Sequence, residues 1–258
     1  MPTFSKLNVL ITRPEQKAQA LVDVLRQQKI ACVKQVLFDY APSSDRQESK
    51  ELLTNSGIII FVSVAAVEFA QTSFSAKGWR YHHIIAVGQS TKIALHNLGI
   101  KHVLCPAQEN SEGLLSLPEL SNNHNLNNER VTIVRGNGGR EHLANQLISN
   151  GAQVHYLESY KRVWRTFSKD IAERWFEQQI NCIVVTSNAI LEKLIQLTSA
   201  QHNSLTSSIF WRDHCVWLVA SQRISNKAKQ FGLAHVINTN GASEQAISAC
   251  LQQLSLDN

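Results

Sequence analysis

VTIVRGNGGREHLANQLISNGAQVHYLESYKR, residues 131–162, reads as strand, glycine-bearing turn, helix, turn and strand. Val131–Val134 is a short β-branched run. Arg135-Gly136-Asn137-Gly138-Gly139 interrupts it, and Glu141–Ser149 sets Leu143, Leu147 and Ile148 on one helical face. Gly151 follows that helix, where a left-handed residue costs glycine least. Val154–Leu157 then returns as a strand. Such a βαβ unit builds parallel sheet through a right-handed crossover.

The same outline recurs at the start of the chain. Val9-Leu10-Ile11-Thr12-Arg13-Pro14 leads into a helix over Gln16–Gln28, and Ile30–Phe38 supplies the next strand. Val9 and Val131 keep the same offset as Arg13 and Arg135, which suggests a duplication. The intervening chain alternates in the same way. Ile58–Val62 is a continuous apolar run, as a strand covered on both faces needs, ending at Ser63 before helix Ala65–Gln71. Ile84–Val87 stops at Gly88-Gln89-Ser90-Thr91 before helix Lys92–Asn97, Gly99 closes that helix, and His102–Cys105 is another strand. Ser111-Glu112 opens a further helix. Ala41–Ser49 reads as a polar passage and Asn122–Asn128 as a surface loop.

The second half repeats these features. Cys182–Val185 ends in Thr186-Ser187-Asn188, followed by helix Ala189–Leu197; Cys215–Val219 ends in Ala220-Ser221-Gln222-Arg223, followed by helix Ile224–Gln230. Val236-Ile237 is a strand, and Gly241-Ala242-Ser243-Glu244 opens helix Gln245–Leu254. Ser63 aligns with Ser187, Gly88 with Ser221, and Ser111-Glu112 with Ser243-Glu244. Two equivalent α/β units are expected, and a plain duplication would divide them near residue 125.

A chain of 258 residues, 43% of them hydrophobic, can bury one large core or two ordinary ones. No apolar run approaches the roughly 18–20 residues that span a bilayer, and MPTFSKLNVLIT lacks a signal-peptide apolar region with a cleavage site. The five cysteines (Cys32, Cys105, Cys182, Cys215, Cys250) have no CxxC spacing and read as small core hydrophobes of a reducing compartment. A soluble cytoplasmic protein is expected, with no membrane partner. The net charge of +5 favours anionic partners, but there is no basic tail or nucleic-acid-binding aromatic strand, so nucleic acid is not among them.

Motifs of dedicated chemistry are missing. GNGGRE lacks the GK[ST] of a phosphate loop and the third glycine of a dinucleotide fingerprint. His82 and His83 diverge on a strand, and no HxxxH or Cys/His pattern suggests a metal. No Gly-x-Ser-x-Gly elbow marks a nucleophile. The polar residues gather instead at carboxyl ends of strands, where ligands bind open parallel sheets and helix N-termini aim free N–H groups outward. Thr12-Arg13, Ser63, Gly88, Ser90, Thr91, Ser111, Arg135-Gly136, Thr186-Ser187 and Ser221-Gln222 belong to these edges. Each hydroxyl is also a fitting helix cap, so capping alone is the plain alternative for any one of them. Facing one another, the two units would form a cleft of hydroxyls and amides.

VLITRP, the apolar strand ending at Ser63, AVGQSTKIAL, SEGLL, the 131–162 segment, VVTSNAILEKL and GASEQAI together resemble the uroporphyrinogen-III synthase family, in the same order from residue 9 to about residue 251. Two departures stand out: the segment after Phe61 keeps only Ser63 of a Thr-Ser-x-Asn pattern, and Arg223 stands where a threonine is frequent. The resemblance implies two Rossmann-like or flavodoxin-like parallel-sheet lobes, with the N-terminal βα unit completing the C-terminal lobe. The implied lobes are 1–37 with 166–258, and 42–155; connectors 35–41 and 156–166 pair as a two-stranded ladder that lets the lobes hinge.

The activity implied is cyclisation of hydroxymethylbilane, a linear tetrapyrrole, with loss of water and inversion of ring D through a spiro intermediate. It needs no cofactor and no metal. A basic, amide-rich cleft suits this polycarboxylate substrate. Tyr160 matches the tyrosine that matters for function in the family and is the expected proton donor. A phenol is protonated at neutral pH and can assist a departing hydroxyl. Arg13, Arg135 and Arg140 are expected to pair with substrate carboxylates, with Ser63, Thr91, Ser187 and Ser221 as further contacts. A monomer is expected, with transient contact to the preceding pathway enzyme. A non-enzymatic two-lobed sensor of a small anion and a nucleotide-sugar transferase are the alternatives. The sensor needs a compact pocket, and the transferase needs phosphate loops this chain lacks.

Overall fold

The computed structural model describes residues 6–121, 126–138, 141–199 and 203–256. Strand β1 (Asn8–Ile11), helix α1 (Glu15–Gln27) and strand β2 (Ala31–Lys34) come first, then β3 (Phe38–Pro42). The single strand expected over Ile30–Phe38 is therefore two strands, and they lie in different sheets. The division has a hydrogen-bonding cause. Gln35 N–H donates to Ile11 at 2.9 Å, whereas the Leu37 carbonyl accepts from Arg165 N–H at 2.9 Å, so the chain changes partners between them.

Helix α2 (Arg46–Thr54) replaces much of the polar passage expected over Ala41–Ser49. The Asp45 side chain caps it by accepting from Glu48 N–H at 2.7 Å, and its inner face buries Ser49, Leu52 and Leu53. There follow β4 (Ile58–Phe61), α3 (Val64–Ser73), β5 (His83–Ala86), α4 (Gln89–Asn97), β6 (Val103–Leu104), α5 (Ser111–Leu115), β7 (Arg130–Gly136), α6 (His142–Ser149) and β8 (Gln153–Trp164). Strand β8 runs well past Leu157, where the sequence pattern ends it. Residues 122–125 of the expected Asn-rich loop lie outside the described residues. The rest comprises α7 (Ile171–Glu177), β9 (Cys182–Val185), α8 (Asn188–Thr198), α9 (Leu205–Asp213), β10 (Val216–Val219), α10 (Gln222–Gln230), β11 (His235–Asn238) and α11 (Glu244–Leu256).

The chain divides into two compact units, Met1–Asp39 with Trp164–Asn258, and Tyr40–Val163. One sheet has the order β11-β10-β9-β1-β2, with every pair parallel. The other has the order β3-β8-β7-β4-β5-β6, in which β7, β4, β5, β6 and β8 are parallel. Strand β3 meets β8 antiparallel: Ser43 N–H donates to Ser159, and Arg165 N–H to Leu37. Reading β2-β1-β9-β10-β11 against β8-β7-β4-β5-β6 gives the internal repeat, with β1 in the place that β7 holds in the second unit.

Strands β4, β9 and β10 are buried at every position, because helices cover both faces of each sheet. Burying each of Ile58, Ile59, Ile60 and Phe61 contributes roughly 1.5–3 kcal/mol. The first unit has a core built on Val9, Ile11, Leu21, Leu25, Val184, Leu218 and Leu251. In the second unit one core contains Phe61, Val67, Val134 and Leu157, and another contains Ile58, Ile60, Ile133, Leu143 and Leu147. Gly151 has φ +93°, and a Cβ there would meet Asn127 Oδ1 at 2.3 Å, so glycine fits this helix end and no side chain does. Among the described residues no helix is long and apolar enough to cross a membrane.

Candidate active site in the second unit

The pairing of β7 with β8 sets the site. Val134 faces Leu157 and Arg135 faces Glu158, but Gly136 faces Tyr160, so Ser159 is an extra residue in β8. Such a bulge reverses the alternation beyond it. Tyr156 packs on the core of Ile133 and Leu143, and Leu157 on the core of Phe61 and Val67. Plain alternation would return Tyr160 to the Tyr156 face. The bulge turns it instead onto the Leu157 face, beside α3. Ser159 is fully buried, and its single hydroxyl hydrogen is shared between the carbonyls of Ala66 at 3.3 Å and Arg135 at 3.4 Å.

Tyr160 is boxed on several sides. Its Oη is 3.2 Å from Ser63 Oγ, which also caps α3 by accepting from Ala66 N–H at 3.1 Å. The Tyr40 ring meets it edge-on at 4.7 Å and the Phe69 ring lies at 5.7 Å. Another side is Gly136, where a Cβ would stand 2.6 Å from the Tyr160 ring. Glycine at the end of β7 is thus what lets the phenol lie across the strand end.

The other face of the same edge carries charge. The Arg135 guanidinium stacks on the Tyr156 ring at 3.5 Å from its centroid. Its Nη2 donates to Glu158 at 3.2 Å, and its Nη1 pairs with Glu141 at 3.4 Å. Glu141 also accepts from Tyr156 Oη at 2.9 Å, and Gly138 N–H donates to Glu158 at 3.2 Å. Burial, reinforced by the Glu141 carboxylate, raises the Tyr156 phenol above its ordinary pKa. Burial also raises Tyr40, helped by Tyr160 and opposed by Arg162.

A cavity of about 210 Å³ opens here, lined among others by Ser111, Arg135, Gly136, Asn137, Tyr156, Tyr160 and Arg162. It offers cations and amides to an anion and a phenol to a departing oxygen. Among the described residues no group of His, Cys, Asp or Glu is arranged to hold a metal ion.

Of the residues expected from sequence, Ser111, Arg135, Gly136 and Tyr160 meet at this cavity, with Ser63 bonded to Tyr160. Ser90 is exposed on the first turn of α4, whereas Thr91 is only 3% exposed, so its hydroxyl is withdrawn from the edge. Gly88 precedes α4, where Gln89 N–H is taken by Glu109 at 2.8 Å. In the first unit Thr12 is fully buried and donates to the Val184 carbonyl at 2.6 Å. Arg13 is 3% exposed, bonded to Glu244 at 3.0 Å and to the Ala242 carbonyl at 2.7 Å. The side chains of Thr91, Thr12 and Arg13, expected as substrate contacts, are thus all buried, and internal partners hold Thr12 and Arg13. Ser187 and Ser221 cap α8 and α10, Thr186 is half-buried beside them, and Gln222 bonds Asn226 at 2.8 Å. Arg140 lies outside the described residues.

Sequence reading missed Asn137, Tyr156, Glu158 and Arg162 as site residues. The alternation of Tyr156 and Glu158 along β8, opposite an arginine in β7, was the available signal.

Comparison with known proteins follows the same direction. A family model described as uroporphyrinogen-III synthase HemD matches residues 19–248. The uroporphyrinogen-III synthase of Escherichia coli (strain K12) is 30% identical over 254 residues, covering 95% of this chain and 100% of that protein. That of Salmonella typhimurium is 31% identical over 260 residues, covering 95% and 100%. A mutant uroporphyrinogen III synthase of the extremely thermophilic bacterium Thermus thermophilus superposes with a TM-score of 0.61 at 12% identity, covering 96% of this chain and 98% of that one. For the Helicobacter pylori uroporphyrinogen-III synthetase the score is 0.58 at 13% identity, with 96% and 99% covered. These two likenesses show a shared two-lobed α/β fold. The relatives are synthases, and none supports the sensor alternative.

Proposed function

The chain belongs to the uroporphyrinogen-III synthase family, enzymes of tetrapyrrole biosynthesis, and from that premise we propose how its second unit takes part in the cyclisation. Tyr160 Oη donates a proton to the terminal hydroxymethyl oxygen of hydroxymethylbilane. The C–O bond breaks, water leaves, and the pyrrole nitrogen supplies the electron pair that forms an azafulvene. The substituted carbon of ring D attacks it. The spiro intermediate fragments and recloses with ring D inverted, and the proton lost as the final pyrrole regains aromaticity returns to the Tyr160 oxygen.

Closure without inversion needs no enzyme, so the protein's chief contribution is to hold the chain in one folded conformation. Arg135, Arg162 and the Ser111 end of α5 bind carboxylates of the substrate, and Ser63 orients the Tyr160 phenol. Thr186, Ser187, Ser221 and Gln222 of the first unit supply further amide and hydroxyl contacts. The protein acts as a monomer in the cytoplasm, with the bilane handed over by the preceding enzyme.

One observation carries this reading: the Tyr160 phenol, hydrogen-bonded to Ser63 at 3.2 Å, lines the same cavity as Arg135 and Arg162. The test is Tyr160→Phe assayed with hydroxymethylbilane, the products being oxidised and separated as porphyrin isomers. Formation of isomer III is expected to fall about 10²-fold, the usual contribution of a positioned acid, while isomer I from spontaneous closure persists. Near-normal formation of isomer III removes the acid role.

A further inference from the structure

Strand β3 brings one side chain, Tyr40, against both Tyr160 and Arg162. Ser43 N–H donates to the Ser159 carbonyl and Arg165 N–H to that of Leu37. Both bonds belong to one antiparallel register, in which Tyr40 stands directly opposite Arg162. It does so at a non-hydrogen-bonded position, where facing side chains approach most closely. Tyr160 is the diagonal neighbour on the same face, within reach of an aromatic ring. The contacts follow the register: the Arg162 side chain hydrogen-bonds the Tyr40 phenol, and the Tyr40 ring meets the Tyr160 ring edge-on at 4.7 Å. Among the described residues Tyr160 and Arg162 line the cavity, whereas the half-buried Tyr40 does not. Arg162 is exposed, and ordering a long side chain only when a ligand arrives costs affinity.

Resting on the roles given to Tyr160 and Arg162 above, we propose that Tyr40 is a positioning residue with two separable effects. Its hydroxyl holds the Arg162 guanidinium in place before a substrate carboxylate arrives, and its ring keeps the Tyr160 phenol aligned with the departing oxygen. Tyr40 acts only through these two neighbours. The hydroxyl therefore bears on binding, because Arg162 meets the substrate before any bond changes. The ring bears on the chemical step, because the edge-on contact supports the Tyr160 ring whose hydroxyl is 3.2 Å from Ser63 Oγ.

The test compares the wild-type protein with Tyr40→Phe, which removes the hydroxyl and keeps the ring, and Tyr40→Leu, which removes both. Folding is checked by circular dichroism, and isomer III formation is followed with hydroxymethylbilane as substrate. Tyr40→Phe is expected to raise KM about three- to tenfold, the effect of one hydrogen bond, and to leave kcat within about twofold. Tyr40→Leu should raise KM equally and also lower kcat about tenfold, so that phenylalanine rescues kcat but not KM. In an Arg162→Gln background the KM effect of Tyr40→Phe should disappear, because the guanidinium it orders is gone. An unchanged KM in Tyr40→Phe, or an increase that persists in full beside Arg162→Gln, overturns the proposal. So does a kcat that falls as far with phenylalanine as with leucine. The phenylalanine and glutamine variants decide the matter even where the leucine variant does not fold. Arg162→Gln alone should raise KM; if it does not, the carboxylate role of Arg162 fails and takes the proposal with it, whereas a raised KM without coupling to Tyr40 removes the proposal alone. Tyr160→Phe reports separately on the acid role.

Discussion

Replacing Gly136 by alanine introduces a methyl group 2.6 Å from two ring carbons of Tyr160 and 3.0 Å from its hydroxyl. Ordinary carbon contacts lie at about 3.5–4.0 Å, so the ring must retreat by roughly 1 Å. Three neighbours resist that retreat: Tyr40 stands edge-on at 4.7 Å, Phe69 lies at 5.7 Å, and the hydroxyl is tied to Ser63. Overpacking of this kind costs about 1–3 kcal/mol, and a misplacement of about 1 Å at a reacting group can cost about 10²-fold in rate. Gly136→Ala is thus expected to lower the urea midpoint and to reduce isomer III formation together. Gly241→Ala, where the added Cβ would meet only Ala246 Cβ at 3.5 Å, should change neither. Tyr160→Ala removes the clashing ring, so the stability cost of Gly136→Ala should nearly vanish in that background. A Gly136→Ala protein with wild-type stability and turnover, or an undiminished cost beside Tyr160→Ala, would refute the requirement for clearance.

The Tyr40 phenol is held above its ordinary pKa of about 10 by burial, then by Tyr160, so the folded protein binds this proton more tightly than the unfolded chain. Its stabilising effect is complete below about pH 10 and disappears as the pH rises through the folded value; Tyr40→Phe should flatten the alkaline decline of urea midpoints, and an unchanged slope would contradict this. Arg13→Gln leaves Glu244 without its ion pair and the Ala242 carbonyl without its donor, an expected loss of about 3 kcal/mol in denaturant titration. A loss under about 1 kcal/mol would mean that this bracing is dispensable.

Strands β4, β9 and β10 are legible because four consecutive apolar residues bounded by a capping serine or glycine have few other uses in a chain of this polarity. Helix α2 is not: with mostly polar residues, its only cues are Asp45 three positions before Glu48 and the pair Leu52-Leu53. The direction of Tyr160 is hidden more deeply, since nothing in YLESYKR marks Ser159 as the residue that leaves the ladder. Arg13 and Arg135 look equivalent along the chain. They differ because Glu244, 231 positions away, closes over the first, whereas the second borders a cavity. Tertiary neighbours at that range leave no local trace.

The placement of β1 between β2 and β9 has a consequence for synthesis on the ribosome. Residues 40–163 form a contiguous unit that can fold as soon as it emerges, but β1 emerges first and must wait for Cys182-Ile183-Val184 before its inner edge is paired. During that interval an apolar segment with Val9, Leu10 and Ile11 is exposed without its partner, the state in which nascent chains are most open to chaperones and to aggregation. Truncations that stop short of β9 should therefore keep a folded middle and an adhesive beginning.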